Sequence, residues 1–269
     1  MKQWLLICLL LFAYSSKAQE LYVYTEPASN MAAKSIGFRL NNNFMYQKNS
    51  NGYRYMLAPE IMAGVSKKIM LHIEGFLSNM NGDFKLNGGT VYAKYRFFSI
   101  DDVHSHFRMA AYMRGSISNL PIQQPAIDLL LMNSGVETGI VATQLIKRTA
   151  ISTSVSHLYA ADNANSHKFS YGNKYRNALS YTISAGRLML PKEYTSYNQT
   201  NVNLMVEALG QTNLYSGKSF IDIAPSVQFI IKSQMRVDIG YRFAMINNLQ
   251  RNSENGALLR LEYNIFNAF

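Results

Sequence analysis

The C-terminal stretch of the chain, residues 256–269, alternates between two kinds of side chain. Its odd-numbered positions hold Leu259, Leu261, Tyr263, Ile265 and Asn267. Its even-numbered positions hold Arg260, Glu262, Asn264, Phe266 and Ala268. A period of two indicates a β-strand, because successive side chains of a strand point to opposite faces. The chain therefore ends in a predicted strand with one apolar and one largely polar face, which suits either the edge of a soluble sandwich or the wall of a barrel.

The residue types on the apolar face narrow this choice. A final strand that carries Tyr263 and Ile265 on one face and stops at a C-terminal Phe269 resembles the closing strand of Gram-negative outer-membrane β-barrels. The resemblance implies that Tyr263, Ile265 and Phe269 form an assembly signal and that the barrel-assembly machinery is a partner.

The N-terminus has the features of a secretory signal peptide. Lys2 supplies a positive charge, residues 4–14 form an apolar run, and Ser16 and Ala18 are small residues at a cleavage site. The run is too short to span a bilayer. We predict a signal peptide at residues 1–18. The one cysteine, Cys8, lies within it, so the mature chain has no disulfide and no cysteine metal site.

The rest of the chain divides into twelve predicted strands. They cover residues 34–46, 53–65, 69–79, 90–98, 106–118, 135–146, 149–160, 176–188, 200–210, 219–231, 235–246 and 256–269. The turns after strands 2, 6 and 10 are short, whereas the loops after strands 3, 5 and 7 are long. An even strand number with short periplasmic turns and long external loops is typical of bacterial outer-membrane barrels.

The predicted fold class is therefore all-β: a closed antiparallel transmembrane β-barrel of about twelve strands at residues 34–269, after a periplasmic lead-in at residues 19–33. No other run approaches eighteen apolar residues, and the mean hydropathy is -0.09. Alternating strands keep this value low, because only every second residue faces lipid.

The chain as a whole resembles outer-membrane β-barrels of Bacteroidota and, more loosely, transporter-type barrels associated with aromatic-degradation pathways. The resemblance rests on the signal peptide, on residues 21–40 (LYVYTEPASNMAAKSIGFRL), on residues 59–68 (PEIMAGVSKK) and on Phe269. It implies a place in the Gram-negative outer membrane, among its lipid and lipopolysaccharide, and a porin-like transport role.

An enzyme is not expected. Outer-membrane phospholipase A and lipid A deacylase carry a His-x-Ser motif that places base and nucleophile on one face of a strand. The residues two positions after the five histidines are Glu74, His106, Arg108, Tyr159 and Phe169. We also predict no cofactor and no nucleic-acid partner, since the formal net charge of +10 suits lipopolysaccharide phosphates.

Soft-metal binding is a further alternative. Met56, Met62, Met70 and His72 fall on the inner faces of predicted strands 2 and 3. Thioether sulfur binds Cu(I), but methionine also packs irregular interiors readily. We predict no metal site and keep these four residues as candidates for one.

The inward-facing residues predict a lumen of mixed charge. The residues expected to line the pore are Lys94, Arg96, Arg108, Arg114, Arg236, Asp238 and Arg242. Predicted strands 4 and 5 supply four of these bases and no inward acid, so we expect an uncompensated basic wall that favours anions. The main functional hypothesis is a passive channel or transporter component for small solutes. The alternative is a non-conducting structural or adhesive barrel.

One external loop, at residues 119–133, is too apolar to lie in water. Its apolar residues are Ala126, Ile127, Leu129, Leu130, Leu131 and Met132. An exposed apolar patch of this kind is normally covered. We expect the loop either to fold into the lumen as a constriction or to pack on the rim or on a neighbouring molecule.

Overall fold

A computed structural model describes residues 22–47, 52–102, 105–193 and 198–269. The predicted signal peptide lies outside these residues. The strands are β1 (Ser35–Gln47), β2 (Gly52–Gly64), β3 (Ile69–Ser78), β4 (Lys85–Asp101), β5 (Ser105–Ser118), β6 (Gly135–Ile146), β7 (Thr149–Ala160), β8 (Asn177–Leu190), β9 (Asn201–Asn213), β10 (Ser219–Ile231), β11 (Met235–Asn247) and β12 (Ser253–Ile265). A short 3-10 helix at Asn173–Arg176 precedes β8. Within the described ranges no helix is long and apolar enough to cross a membrane.

The twelve strands form a closed barrel. Each strand pairs antiparallel with its neighbours in sequence, and β1 pairs with β12 to complete the ring, with Phe38 opposite Tyr263. A closed sheet has no edge, so the main-chain groups of every strand have ladder partners on both sides, as a structure surrounded by lipid requires. The predicted fold class is confirmed.

The two faces of the wall differ as the alternation predicts. Large apolar side chains such as Ile183, Ile117 and Ile73 are exposed on the outside. Charged side chains such as Arg39, Glu60 and Glu207 are buried on the inside. This arrangement is that of a barrel whose outer surface contacts hydrocarbon and whose interior is polar.

The last strand ends earlier than the alternation predicts. β12 stops at Ile265, four residues before Phe269, and Asn267 has a positive φ of 53°. Ile265 lies opposite Ile36, close to the first residue of β1, and beyond it Ala268 donates its N–H to the carbonyl of Lys34 at 2.7 Å, just before β1 begins. Phe269 therefore lies outside the strand, while Tyr263 and Ile265 face outward as expected.

A bulge makes β4 longer and changes its outward residues. The register against β5 shifts between Arg96 and Phe98. An extra residue at a bulge reverses the parity that follows it, so Phe98 and Ile100 join Phe97 on the exposed face. Period-two counting ends at such a point, so the predicted strand of 90–98 omits residues 99–101. The prediction also missed the start of the strand, because β4 begins at Lys85.

The segment before β1 lies inside the barrel. It was expected as a periplasmic lead-in at residues 19–33, but Tyr22, Val23 and Ala28 of its described part are buried against the inner wall. We call residues 22–31 the strap. It crosses the end of the lumen near the β2–β3 turn, where the Asn30 side chain donates to the carbonyl of Lys67. The termini and short turns mark this end as periplasmic.

The position of the membrane can be tested on one strand. Ile140 at the middle of β6 and Ile146 at its periplasmic end are both exposed outward. Ile140→Arg should lower the free energy of unfolding from lipid by roughly 2–4 kcal/mol, and Ile146→Arg by roughly 0–1 kcal/mol, because the cost of a charge falls towards the interface. Denaturant titration in liposomes measures both. Equal losses would contradict a membrane centred on Ile140.

Candidate functional site

The main chain of the strap is held by one buried carboxylate. Glu207, on the inner face of β9, is fully buried. Its Oε1 accepts hydrogen bonds from the backbone N–H groups of Val23 and Tyr24, each at 2.9 Å, and its Oε2 accepts one from Thr25 at 2.8 Å. Three donors on one charged acceptor form a strong anchor, because hydrogen bonds to an ionised group exceed neutral ones.

Basic side chains bind the carbonyl groups of the same segment. Lys94 Nζ on β4 donates to the carbonyls of Pro27 at 2.6 Å and Ser29 at 2.9 Å. Arg236 on β11 donates to the carbonyl of Tyr22 at 3.0 Å. The strap therefore connects opposite sides of the wall and closes much of the periplasmic half of the lumen.

An arginine hub links the strap to three strands. Arg39 on β1 contacts Glu26 of the strap at 2.9 Å, Glu60 on β2 at 3.0 Å and Glu262 on β12 at 2.9 Å. Glu60 also contacts His72 Nδ1 at 2.5 Å. A buried network of this kind is stable only when its members are paired, so losing Glu26 would leave part of the hub unsatisfied.

The apolar external loop also lies inside the barrel. We call residues 119–134 the lid. Its main chain is fixed by polar side chains of the wall: Ser116 donates to the carbonyl of Leu129 at 2.5 Å. Gln211 on β9 makes two bonds with Ile127, accepting from its N–H at 2.9 Å and donating to its carbonyl at 2.8 Å. The lid thus reaches from β5 across the lumen to β9.

Apolar side chains of the lid meet apolar side chains of the wall. Leu120, Leu131 and Met132 pack with Met56, Ala58 and Phe76 of β2 and β3. Ile122, Ile127 and Leu129 pack with Leu158, Ala160, Phe169 and Ala178. Ala126 packs with Phe220 and Leu249. These contacts remove the lid from water, as the hydrophobic effect requires. Leu130 alone among the six predicted residues remains exposed.

A second external loop, residues 161–176, covers the lid through Phe169. It is held by Asp162, which accepts from the N–H of Phe169 at 2.9 Å and from Arg176 at 2.5 Å. The hydrogen bond from Phe169 and the charge-assisted bond from Arg176 lower the pKa of the Asp162 carboxyl. This ion pair therefore persists into more acidic solution than an isolated aspartate would allow.

A cavity of about 400 Å³ lies between the strap and the lid. We call it the central cavity. The strap contributes residues 23–26 to its lining and the lid contributes residues 124 and 126–132. The wall contributes charged and aromatic side chains, among them Arg39, Glu74, Tyr112, Arg114 and Arg260. The volume falls within the range of small-molecule sites.

The seven predicted pore residues do not all line the central cavity. Arg114 and Arg242 line the central cavity. Lys94, Arg236 and Asp238 are buried, the two bases in contact with the strap. Arg96 lies beside the β2–β3 turn, where its N–H donates to the carbonyl of Lys68. Arg108 donates to Ser29 of the strap at 2.9 Å.

The expected uncompensated basic wall on β4 and β5 is absent from the described residues. Arg114 pairs with Glu137 of β6 at 3.2 Å, and Arg108 pairs with Asp101 of β4 itself at 2.7 Å. Lys94 binds strap carbonyls. Alternation correctly placed these bases inward. Their partners lie on another strand, on the end of β4 beyond the bulge and on the strap. Counting alternate residues along one strand does not detect such partners.

The four candidate metal ligands do not form one cluster: Met62, Met70 and His72 lie near one another on the paired strands β2 and β3, and Met56 lies apart. Met56 packs under the lid, whereas Met62 pairs in register with His72 nearer the periplasmic end. Six strand residues separate Met56 from Met62, roughly 20 Å along the strand. Met70 accepts a contact from the N–H of Met31 in the strap. In the described part of the chain, no group of three or more His, Cys, Asp or Glu residues is placed to hold a metal ion.

Comparison with known proteins supports the fold. No family model matches the sequence, and no curated protein matches it significantly. The NanC porin has a TM-score of 0.50 at 12% identity, covering 85% of this chain and 98% of its own. The COG4313 outer membrane channel from Pseudomonas putida F1 has a TM-score of 0.58 at 8% identity, covering 91% of this chain and 100% of its own. The chain has the fold of outer-membrane β-barrels.

Proposed function

We propose that the protein is an outer-membrane channel for small solutes, closed at its periplasmic end by the strap and at its external end by the lid. The observation that carries this proposal is the central cavity, a space lined by both charged and apolar side chains that is covered at both ends by segments outside the strand ladder. Side-chain contacts hold both segments. Either can therefore move without breaking the wall.

The proposed location follows from the outer surface and the termini. The apolar exterior requires a bilayer, and the predicted signal peptide would bring the chain to the periplasm. The barrel-assembly machinery would recognise Tyr263, Ile265 and Phe269, and lipid and lipopolysaccharide would surround the barrel. A relation to Bacteroidota barrels and to transporters of aromatic-degradation pathways is part of the proposal and rests on residues 21–40, residues 59–68 and Phe269.

A non-conducting barrel is the second candidate, and the density of the strap contacts favours it. Glu207, Lys94 and Arg236 are all at least nine-tenths buried and all bind the strap. If the strap never leaves, the barrel is a structural or adhesive element with a filled lumen.

A single substitution distinguishes the two candidates. Glu207→Gln keeps the side-chain shape but removes the charge that holds three strap N–H groups, which should weaken the closed form by about 2 kcal/mol. For a channel, the open fraction in planar bilayers should rise roughly thirtyfold. Glu137→Gln is the matched control, because Glu137 contacts Arg114, Tyr112 and Ser156 but not the strap.

The channel and the non-conducting barrel predict different results for these variants. A rise in open fraction for Glu207→Gln alone supports a channel closed by the strap. No conductance from either variant, with heat-modifiable gel mobility showing folded barrels, favours the non-conducting barrel.

A further inference from the structure

Charged groups around the central cavity are unequally paired. The lining contains five arginines, and each has a carboxylate within ion-pair distance. The pairs are Arg39 with Glu60, Arg114 with Glu137, Arg242 and Arg251 with Asp222, and Arg260 with Asp238. Positive charge at the cavity surface is therefore neutralised within the protein.

Three carboxyl groups of the same lining, in contrast, form no ion pair within the described residues. Glu74 on β3, Asp128 in the lid and Glu254 on β12 have no basic group of the described residues within ion-pair distance. Glu74 is half-buried and accepts one hydrogen bond, from Asn41 Nδ2 at 3.2 Å. Asp128 accepts one from the N–H of Leu130 at 3.0 Å. In all, six carboxyl groups line the cavity together with the five arginines.

Aromatic rings lie next to Glu74. His72, Tyr92 and Tyr112 form a row across β3, β4 and β5, with ring centroids 5.0 Å and 5.6 Å apart. The Arg114 guanidinium lies 5.2 Å from the centroid of Tyr92, so this row already contacts one cation through a ring face. Tyr112 is half-buried at the end of the row and lines the cavity.

The lid contributes apolar side chains to the external side of the cavity. Ile127, Leu129 and Leu131 of the lid contribute to its lining. A ligand that satisfies both sides needs a positive group for the carboxylate and a compact apolar body for the lid and Tyr112. In a site of reduced dielectric an unpaired carboxylate attracts a cation more strongly than it would in water.

We propose that the central cavity binds a small organic cation, a protonated amine with an aromatic or compact apolar body, whose ammonium group contacts Glu74 and whose body lies between Tyr112 and the lid. This assigns a substrate class to the site of the proposed channel, and it rests on that function only for the route by which the cation enters. It is the opposite of the anion preference that the sequence predicts.

Equilibrium binding of three matched probes tests the proposal. Benzylammonium, benzyl alcohol and benzoate share one ring and differ in charge. After overnight incubation with the purified full-length mature protein in detergent, calorimetry should show saturable binding of benzylammonium and none of benzoate. Ammonium chloride, which has the charge but no ring, should bind at least tenfold more weakly than benzylammonium.

Two variants assign the binding to Glu74. Glu74→Gln should weaken benzylammonium binding by roughly tenfold to hundredfold, the effect of removing one charge-assisted hydrogen bond. Glu193→Gln, in an exposed turn outside the lumen, should leave it unchanged. Unaltered heat-modifiable mobility shows that each variant is folded.

The failures of the two proposals are distinguishable. Absence of benzylammonium binding, tighter binding of benzoate, or equal affinity of wild type and Glu74→Gln would each overturn the cation site, whatever the conductance. Binding that depends on Glu74 in a barrel that never conducts would leave the cation site standing and remove the channel.

Discussion

Replacing residues 23–29 by a glycine–serine segment of the same length should turn the closed barrel into a conducting one. The replacement removes the Glu26 carboxylate that binds Arg39 and the defined main-chain path that binds Glu207 and Lys94. A flexible segment loses conformational entropy when it is held in one path, so it should leave the periplasmic half of the lumen open. Single-channel recording in planar bilayers should show discrete steps several-fold larger than any from the wild type.

The barrel should remain folded in this variant, because the strand ladder does not include the strap. Glu207 and Lys94 would lose buried partners, and a buried charge without a partner is costly unless water reaches it. Water entering the open lumen would supply that hydration. The same glycine–serine replacement in residues 214–218, the exposed β9–β10 loop, is the control and should not change conductance. A folded strap variant with wild-type conductance would show that the strap does not close the pore.

Deleting residues 123–132 should produce its largest effect only when the strap has also been replaced. The strap and the lid lie at opposite ends of the lumen, so they act as two resistances in series. Removing the lid alone leaves the strap to limit the current, and the increase should be small. In the strap-replaced background the same deletion should raise the step size several-fold.

A folded control variant distinguishes an effect of the lid on conductance from an effect of lost packing in the barrel. Gln211→Leu removes the two hydrogen bonds to Ile127 but keeps the apolar lid residues, and it should raise conductance less than the deletion does. If the deletion changes conductance in neither background, the lid does not constrict the pore. It would then fill the external end of the lumen without controlling the current.

The strand pattern was available from the sequence because it is local. β6, β7 and β10 begin and end at the predicted residues, each bounded by a turn that the sequence marks. Alternation within one strand decides which side chains face lipid, and an outer apolar row such as Leu259, Leu261 and Tyr263 needs no knowledge of the neighbouring strands. The even strand number followed from counting such segments. Closure of the barrel followed because an open sheet edge would leave main-chain N–H and C=O groups unpaired in lipid.

The contents of the lumen depended on contacts between distant parts of the chain. Glu207 lies 184 residues from Val23, and nothing near Glu207 in the sequence indicates that its partners are three main-chain N–H groups. The strap contains Pro27 and small polar residues and shows no period, so its course inside the barrel is decided by the buried charges that receive it. The apolar composition of the lid showed that it must be covered, but the alternatives of lumen, rim and partner were separated only by the surface it meets, Met56, Phe76 and Phe220.

The pairing of charges in the lumen also depended on contacts that the sequence does not show. Parity counting placed Arg108 and Arg114 inward, but their partners Asp101 and Glu137 lie on a bulged strand end and on the next strand. The sequence by itself determined the barrel, its strand number and its two faces, because these follow from a repeat of two residues along each strand and from the cost of unpaired main chain in lipid. The tertiary structure decided what fills the lumen and which charges remain unpaired there, because a closed barrel brings all twelve inner faces, the strap and the lid within one shared space.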